Sequence, residues 1–349
     1  MSVKKNSAVY EQYGPFLDFI RNKRVYLALS GGGLALVCHI AIIRIIEELG
    51  IKVERVYGTS AGSVVGGLYA AGMNSRQLEN AVRTLKNPDD LFGRGSRHML
   101  FRALKSEVRS CIRKTTTNTS IYDGKRLEGF ITNRLTELFG NVPRMGDLKI
   151  PFSAVSFNVG SGTLCDAGMS AKAVFSTEKT PDISLSDAIV ASIAIPGVFP
   201  AKKVHGCYYI DGGVVEHLPI VSAYEDWQKQ RRFYEKNLAI VAVNLGYAGD
   251  AVQQIERVRP HDMFLFAAGI LGKAIDRSSM LRVHRPRKGA HVVLVKPRCY
   301  DIALTDFEKI PHAMKKAYKA IKAQLEGEHF MDETEKDLEK ARQMLGIHE

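Results

Sequence analysis

The fold of this chain is decided by Val53–Gly62, whose sequence is VERVYGTSAG. Its first half, up to Tyr57, is an apolar run short enough to be a buried strand. The stretch after it, Ala61–Ala71, is rich in Ala, Gly and Leu and predicts a helix packed closely on a sheet. Between them stands a Gly-x-Ser-x-Gly motif, which in a strand–turn–helix places one serine, here Ser60, on a strained turn with its Oγ exposed. On its own the pentapeptide is also compatible with an ordinary loop.

The same strand–turn–helix pattern occurs once before, around three consecutive glycines. Val25–Leu29 predicts a buried strand, and Ser30–Gly33 is a turn that no β-branched residue could easily replace. Apolar residues are dense over Leu34–Leu49, and Gly50 supplies the helix stop. Two successive β–α units imply a parallel sheet with helices on its faces.

Further elements continue this alternation along the chain. We predict one α/β domain with a mostly parallel central sheet and helices on both faces, and an insertion between Arg83 and Thr119 lying over it. Helices are expected at Tyr122–Phe139, Ser184–Val190 and Thr305–Leu325, and strands at Ile150–Val155, Leu238–Leu245 and His291–Val295.

The composition is that of a globular protein with a large core, since 45% of its 349 residues are hydrophobic and 25% are charged. The chain shows no apolar stretch of about 18 residues and no recognisable secretory signal, so we expect no transmembrane helix and a cytoplasmic location. The five cysteines are scattered without a Cys-x-x-Cys pair, which favours reduced thiols and argues against zinc: Cys38, Cys111, Cys165, Cys207 and Cys299. No metal or other cofactor is expected.

A serine nucleophile needs a base for its proton and donors for the oxyanion. The donors expected here are the backbone N–H groups of Gly31, Gly32 and Gly33, which precede a helix whose dipole favours negative charge. The same geometry could bind a phosphate. However, the last glycine of a dinucleotide fingerprint and the Lys-Ser of a Walker loop are both missing from this sequence.

The sequence offers two kinds of base. A triad with an acidic residue and a histidine would use one of the late histidines, His284, His291 or His312. A dyad would use a carboxylate directly, and Asp211 is the best candidate because it ends an apolar strand and precedes two glycines. Its side chain can then project from a tight turn into a cleft, although an Asp-Gly turn with a solvated carboxylate is the alternative.

Four separated blocks, in order, resemble the patatin-like phospholipase family. They are Leu27–Gly33 (LALSGGG), Gly58–Ser63 (GTSAGS), Ala191–Pro200 (ASIAIPGVFP) and Asp211–Gly213 (DGG), the last followed by Leu218–Pro219. The blocks cover about Val25 to Ile220, and together they are far more specific than any one motif.

The resemblance implies a lipid acyl hydrolase of the phospholipase A or lysophospholipase type, working through an acyl-serine intermediate. Ser60 would be the nucleophile, Asp211 the general base and the Gly31–Gly33 turn the oxyanion hole, with no essential histidine. The supporting glycines would be Gly58, Gly62, Gly212 and Gly213. The α/β domain would extend over 25–326, between an N-terminal extension, 1–24, and a C-terminal charged helix, 327–349, with 83–119 as an insertion or lid.

The chain departs from the family pattern at two places. Ala35 and Leu36 stand where the family usually has Arg-Gly, and His217 stands where it often has Asn. A misplaced oxyanion donor can cost about 10²-fold in rate. Two alternatives therefore stay open: a triad esterase of small soluble esters, and a lipid-binding protein without catalysis. His39, on the helix after the glycines, is expected to pack or cap.

A net charge of +12 favours an acidic partner or surface. Nucleic-acid motifs are missing, so the expected partner is a lipid, with peripheral contact at an anionic membrane surface. Met263–Gly272 is apolar but too short to span a bilayer, and it suits such contact or, equally well, a buried core helix. Cations follow it at Arg277, Arg282, Arg285, Arg287 and Lys288. We expect this region, and a second at Leu91–Phe92 and Met99–Phe101, to flank the mouth of the serine cleft.

Overall fold

The centre of the fold is a sheet whose middle strands all run parallel. The computed structural model describes residues 8–92, 120, 122, 124–160, 171–230, 237–246, 263–299, 302 and 306–347. Within these ranges the sheet has eight strands: β1 (Lys23–Leu29), β2 (Arg55–Thr59), β3 (Phe152–Asn158), β4 (Ala171–Ser176), β5 (Lys202–Val204), β6 (Cys207–Asp211), β7 (Asn237–Val243) and β8 (Ala290–Val295). Strands β8, β7, β1, β2 and β3 are parallel neighbours in that order. The predicted mostly parallel sheet is therefore confirmed.

Helices cover both faces of the sheet, as predicted. They are α1 (Ala8–Ile20), α2 (Val37–Glu48), α3 (Ala61–Ala71), α4 (Ser75–Arg83), α5 (Pro88–Phe92), α6 (Lys125–Phe139), α7 (Leu185–Ser192), α8 (Ile220–Gln230), α9 (Met263–Val283), α10 (Ile310–Leu325) and α11 (Asp332–Leu345). Side chains of a strand alternate between faces. Leu27 and Leu29 of β1 pack into a core with α1, α2, α3 and α10, whereas Tyr26 and Ala28 pack with α8, α9 and α11. None of the helices in the described ranges combines the length and apolarity that crossing a bilayer needs.

The predicted segments differ from the observed ones mainly at their ends. Helix α7 starts after Ser184, whose Oγ accepts the Asp187 N–H at 3.0 Å as an N-cap. The segment 1–24, expected as an extension, contains α1, whose Phe16 and Leu17 are buried in the main core. Of the predicted insertion, 83–119, the part from residue 93 lies outside the described residues.

Two of the cysteines are paired. Cys38, at the start of α2, and Cys299, which follows β8, form a disulfide. The prediction of reduced thiols is therefore wrong for this pair, while Cys207 is free. No cysteine spacing signals the pairing, since 261 residues separate the two cysteines and only the packing of the folded chain brings them together.

Strand β3 contacts three other strands, and this arrangement positions the candidate site. Strand β4 pairs antiparallel along one side of β3 from Ser153 to Asn158. On the other side, β2 ends with Thr59 opposite Val155, and β6 begins its pairing with Asp211 opposite Ser156. The residue after β2 and the last residue of β6 are therefore neighbours, although they are far apart in the sequence.

Candidate active site

Ser60 lies on the turn between β2 and α3, in a backbone conformation that residues other than glycine seldom adopt. Its φ is 51° and its ψ is −120°, so the surrounding packing must hold a strained turn. The flanking glycines allow close backbone contacts. A Cβ on Gly62 would overlap the Leu29 carbonyl oxygen, and a Cβ on Gly58 would stand 2.5 Å from the Gly62 carbonyl oxygen. The predicted strand–turn–helix is therefore present, with Ser60 at its bend.

The backbone around Ser60 is fixed by the hydroxyl group of Ser192, a residue outside the predicted dyad and oxyanion turn. The Ser60 N–H donates to Ser192 Oγ at 3.0 Å, and Ser192 Oγ donates to the Val155 carbonyl of β3 at 2.6 Å. Ser63 Oγ in turn donates to the Ser60 carbonyl at 2.6 Å. Ser192, the serine of the Ala191–Pro200 block, therefore positions the turn that carries Ser60.

Asp211 ends β6 beside this turn. Its N–H donates to the Ala194 carbonyl at 3.0 Å, so the Ala191–Pro200 block holds Asp211 as well as Ser60. Gly212 is packed against β3, since a Cβ there would overlap the Val155 carbonyl oxygen. Asp211 Oδ1 accepts the Gly213 N–H at 2.7 Å, which fixes the carboxyl group in one orientation.

Asp211 is buried, with only 5% of the residue exposed. Burial disfavours its charged form and raises the pKa of Asp211 from 3.8 to about 6, against the opposing effects of the Ser60 hydroxyl, the Gly213 N–H and His217. Among the described residues, Oδ2 has no hydrogen-bond partner of normal geometry. A carboxylate with a pKa near neutral, beside a serine hydroxyl, can accept and return a proton.

The three glycines form a turn next to Ser60, but they are not equivalent. Gly32 and Gly33 have φ values of 154° and 56°, which favour glycine. The Gly31 N–H already donates to the His217 carbonyl at 3.1 Å. Of the three predicted oxyanion donors, only Gly32 and Gly33 have N–H groups without a hydrogen-bond acceptor among the described residues.

The replacement of the family's Arg-Gly pair does not distort this turn. Leu36 has φ −44° and ψ −33°, an ordinary helical conformation in which a side chain costs nothing sterically. Ala35 is buried, and its N–H donates to the Gly32 carbonyl at 3.1 Å. The positions that require glycine are 32 and 33, and the sequence keeps glycine at both.

The Ser30 carbonyl connects the glycine turn to the serine turn. It accepts the Gly62 N–H at 3.0 Å and a hydrogen bond from His39 Nε2 at 2.9 Å. Burial lowers the pKa of His39 to about 4, so the imidazole is neutral near pH 7 and donates through Nε2. His39 thus supports the turn by packing and hydrogen bonding, in the role expected of it.

The three late histidines belong to other parts of the molecule. His291 is at the amino end of β8, and His284, whose Nδ1 accepts the Val292 N–H at 3.2 Å, packs beside it. The carboxyl ends of the parallel strands, where Ser60 lies, form the opposite edge of the sheet. His312 is exposed on α10. Among the described residues, none of the three bonds to Ser60 or Asp211.

His217, noted in the sequence only as a departure from the family, lies in the site itself. Its Nδ1 is 3.4 Å from Oδ2 of Asp276, a buried residue of α9. Sequence reasoning missed Asp276 entirely. The available signal was that Asp276 is the one acidic residue of Met263–Val283, a segment whose first ten residues are apolar.

Helix α9 separates the apolar segment Met263–Gly272 from the cations Arg285, Arg287 and Lys288. Helix α9 connects the side of the carboxyl ends, where Asp276 contacts His217, to the start of β8. Arg285, Arg287 and Lys288 therefore precede β8 at the amino edge, so the prediction that they flank the serine cleft is wrong. In the second region Leu91 is buried, and Met99–Phe101 lies outside the described residues.

The geometry defines a class of α/β proteins in which a serine at a strand–helix turn faces a carboxylate across the edge of a parallel sheet, beside a glycine turn. Sequence comparison gives the family within this class. The model of the patatin-like phospholipase family matches residues 27–224, more than half of the chain, and this chain belongs to that family. The matched region contains the glycine turn, Ser60 and Asp211.

Individual relatives cover different shares of the chain. The lysophospholipase NTE1 of Scheffersomyces stipitis is 28% identical over 244 residues, which are 67% of this chain and 13% of that protein. An uncharacterized NTE family protein of Mycobacterium tuberculosis is 30% identical over 197 residues, 56% of this chain and 44% of that protein. This chain thus matches less than half the length of either relative.

Two solved structures resemble the chain at low sequence identity. VipD from Legionella pneumophila matches with a TM-score of 0.44 at 14% identity, over 87% of this chain and 66% of that one. The type III effector protein ExoU matches with a TM-score of 0.41 at 15% identity, over 87% of this chain and 53% of that one.

Proposed function

We propose that this chain is a serine-dependent hydrolase of lipid acyl esters, of the phospholipase A or lysophospholipase type. Ser60 is the nucleophile and Asp211 is the general base that activates it. The observation that carries the proposal is the buried Asp211 carboxyl, its pKa raised to about 6, next to a serine on a strained turn. Membership of the patatin-like phospholipase family supports lipid as the substrate class.

In the acylation step, Ser60 Oγ attacks the ester carbonyl carbon while Asp211 accepts the hydroxyl proton. The bond from the carbonyl carbon to the alcohol oxygen breaks, and an acyl-serine remains. Water then attacks the acyl-serine, the fatty acid departs, and Ser60 Oγ regains its proton from Asp211. The departing alcohol must gain one further proton, and the attacking water must lose one.

Negative charge develops on the carbonyl oxygen in both steps. The N–H groups of Gly32 and Gly33 are the donors we assign to it, since the Gly31 N–H is bonded to the His217 carbonyl. These donors belong to the turn that starts α2, whose helix dipole adds favourable potential. Because the turn is joined to the serine turn through the Ser30 carbonyl, donors and nucleophile keep a fixed relative position.

Covalent labelling tests the assignment of the nucleophile. A fluorophosphonate probe should label the wild-type protein, and Ser60→Ala should abolish the label, whereas Ser278→Ala, an exposed serine on α9, should keep it. Asp211→Asn should lower turnover of lysophosphatidylcholine by about 10²-fold or more. A folded wild-type protein that takes up no label would contradict the proposal and favour lipid binding without catalysis.

The triad esterase of small esters makes a different prediction. It requires loss of activity when His284, His291 or His312 is replaced. Their positions away from Ser60 and Asp211 favour the dyad, and replacing each by Asn should leave hydrolysis within about twofold of wild type.

We further propose that lipid reaches the site beside the amino-terminal half of α9. Ile270 and Leu271 of this half are 53% and 65% exposed, and Ile275, in the next turn, is 37% exposed. Val214, three residues after Asp211, is 44% exposed. Large aliphatic side chains held in water around a cleft suit shallow insertion into a lipid surface.

Vesicle flotation tests this contact with a matched pair of variants. Leu271→Glu should weaken binding to neutral phosphatidylcholine vesicles, because a charge replaces an apolar side chain at the contact. Leu345→Glu, at a 50% exposed leucine at the end of α11, should bind as the wild type does. Equal binding by both variants would contradict the contact, and equal wild-type binding to neutral and anionic vesicles would argue against an electrostatic contribution.

A further inference from the structure

His217 places an imidazole next to the nucleophile, and the Ser60–Asp211 dyad does not explain it. The Cδ2 and Nε2 atoms of the ring lie 3.0 and 3.1 Å from the point where a Cβ on Gly31 would stand. Ser60 Cβ lies 3.4 Å from the same point. The Nε2 edge of His217 and the nucleophile therefore face one small space beside the glycine turn.

The other side of the ring is held by a carboxylate. His217 Nδ1 is 3.4 Å from Asp276 Oδ2, and Asp276 Oδ1 accepts the Leu218 N–H at 3.2 Å. Asn244 Nδ2 donates to Asp276 Oδ2 at 3.4 Å. Asp276 is 5% exposed, and these three contacts hold its carboxylate beside the ring.

A carboxylate at Nδ1 fixes which ring nitrogen of an imidazole carries the proton. It holds the proton on Nδ1, and it leaves Nε2 as the nitrogen that exchanges protons with the cleft. The backbone of His217 is also bound to the glycine turn, through the Gly31 N–H and the His217 carbonyl. The imidazole therefore keeps its position relative to Ser60 and to the oxyanion donors.

We propose that His217 is a further catalytic residue, which protonates the departing alcohol and then deprotonates the attacking water, with Asp276 as its positioning residue. The inference rests on the proposed function of Ser60 and Asp211. It assigns the two remaining proton transfers, to the alcohol and from the water, which the dyad does not account for.

With Asp211 and His217 both transferring protons, every proton in the catalytic cycle is accounted for. In acylation, Asp211 takes the Ser60 proton, the Oγ–carbonyl bond forms, the ester C–O bond breaks, and the alcohol oxygen takes the Nε2 proton of the His217 imidazolium. In deacylation, water adds its oxygen to the acyl carbon and gives one proton to Nε2. The bond from the acyl carbon to Ser60 Oγ breaks, and Oγ takes the proton back from Asp211. Ester and water are converted to acid and alcohol, and both side chains return to their starting forms.

Two substrates with different leaving groups distinguish proton donation by His217 from a purely structural role. p-Nitrophenolate departs without a proton, whereas the alkoxide of a glyceryl ester needs one. The value of kcat/KM reports only the steps up to departure of the alcohol. His217→Gln should therefore lower kcat/KM for 1-decanoylglycerol by about 10²-fold and leave that for p-nitrophenyl decanoate within about threefold of wild type.

Glutamine is the variant of choice because its amide keeps a hydrogen-bond donor near the position of Nε2 but cannot transfer a proton. Asp276→Asn should show the same substrate pattern with a smaller loss. His329→Gln, at an 84% exposed histidine side chain, is the matched control and should change neither substrate. Retained p-nitrophenyl activity also shows that the variant is folded.

The outcomes distinguish this inference from the proposed function. If the wild type hydrolyses both esters in a Ser60-dependent manner and His217→Gln affects both equally, or neither, the role of His217 is wrong and the dyad stands. If the wild type hydrolyses neither ester and Ser60→Ala is indistinguishable from it, the proposed function fails and the role of His217 fails with it.

Discussion

Replacing Asp211 by Asn should stabilise the fold while it lowers turnover sharply. The folded protein raises the pKa of this carboxyl from 3.8 to about 6, because burial disfavours its charge. Between these pH values the folded state holds the proton more tightly than the unfolded state does. The free energy of unfolding of the wild type therefore falls as the pH rises from below 4 to above 6.

The size of the effect follows from the pKa change. Moving the pKa from 3.8 to about 6 corresponds to about 3 kcal/mol of lost stability at pH 7.5. At pH 4.5 the folded state is largely protonated, and about 2 kcal/mol of that loss is recovered. Asparagine has no charge to bury, and its Oδ1 can still accept the Gly213 N–H. The advantage of Asp211→Asn should accordingly shrink by about 2 kcal/mol between pH 7.5 and pH 4.5.

Urea unfolding at the two pH values measures this difference. The chain has one tryptophan, Trp227, which is 1% exposed, so its fluorescence reports the unfolding of the core. Asp182→Asn, at an 82% exposed side chain, should have the same stability relative to wild type at both pH values. An advantage of Asp211→Asn that does not change with pH would refute the argument that a buried charge is carried at position 211.

Three further predictions concern pH, packing and the cysteines. Hydrolysis of p-nitrophenyl decanoate, whose leaving group needs no proton, should require ionised Asp211, so its kcat/KM measured by pH-stat titration should fall as the pH drops through about 6 and reach about a tenth of its plateau at pH 5; a pH-independent rate between 5 and 8 would contradict this. Gly62→Ala should destabilise the fold by several kcal/mol in chemical unfolding because its Cβ overlaps the β1 backbone, while Gly129→Ala, a helical glycine with open space around it, should stabilise it by about 0.5–1 kcal/mol. Peptide mapping after alkylation should find Cys38 and Cys299 modified only when a reductant is present, and labelling of both without reductant would disprove the pairing.

The parts of the site that could be predicted from sequence are those encoded within a few consecutive residues. A strained serine turn needs glycines two positions before and after it, and Gly58 and Gly62 mark it in the sequence. Two glycines mark Asp211 in the same way: Gly212 packs against β3, and the Gly213 N–H donates to the Asp211 carboxyl group. Both signals are local because close backbone approach excludes every larger residue.

The parts that could not be predicted depend on contacts between distant segments. Asp276 becomes a partner of His217 only when α9 packs over the end of the sheet, and no spacing in the sequence encodes that. The same holds for the pairing of Cys38 with Cys299. The sequence also could not show whether Leu36 distorts the glycine turn. Comparison with the family pattern reveals that a residue differs, but it does not reveal whether the backbone at that position needs a positive φ.

Strands β2 and β6 pair with the same edge of β3, and this determines which segments of the chain can be altered without moving Ser60 and Asp211. Ser60 and Asp211 are each set by their register against adjacent residues of one strand, so the path that the chain takes between them has no influence on their distance. Segments inserted or exchanged between α3 and β3, or between β4 and α7, can remodel what surrounds the cleft without altering the dyad. Engineering of substrate preference can therefore be confined to those connections, with the proton-transfer geometry inherited unchanged from the sheet.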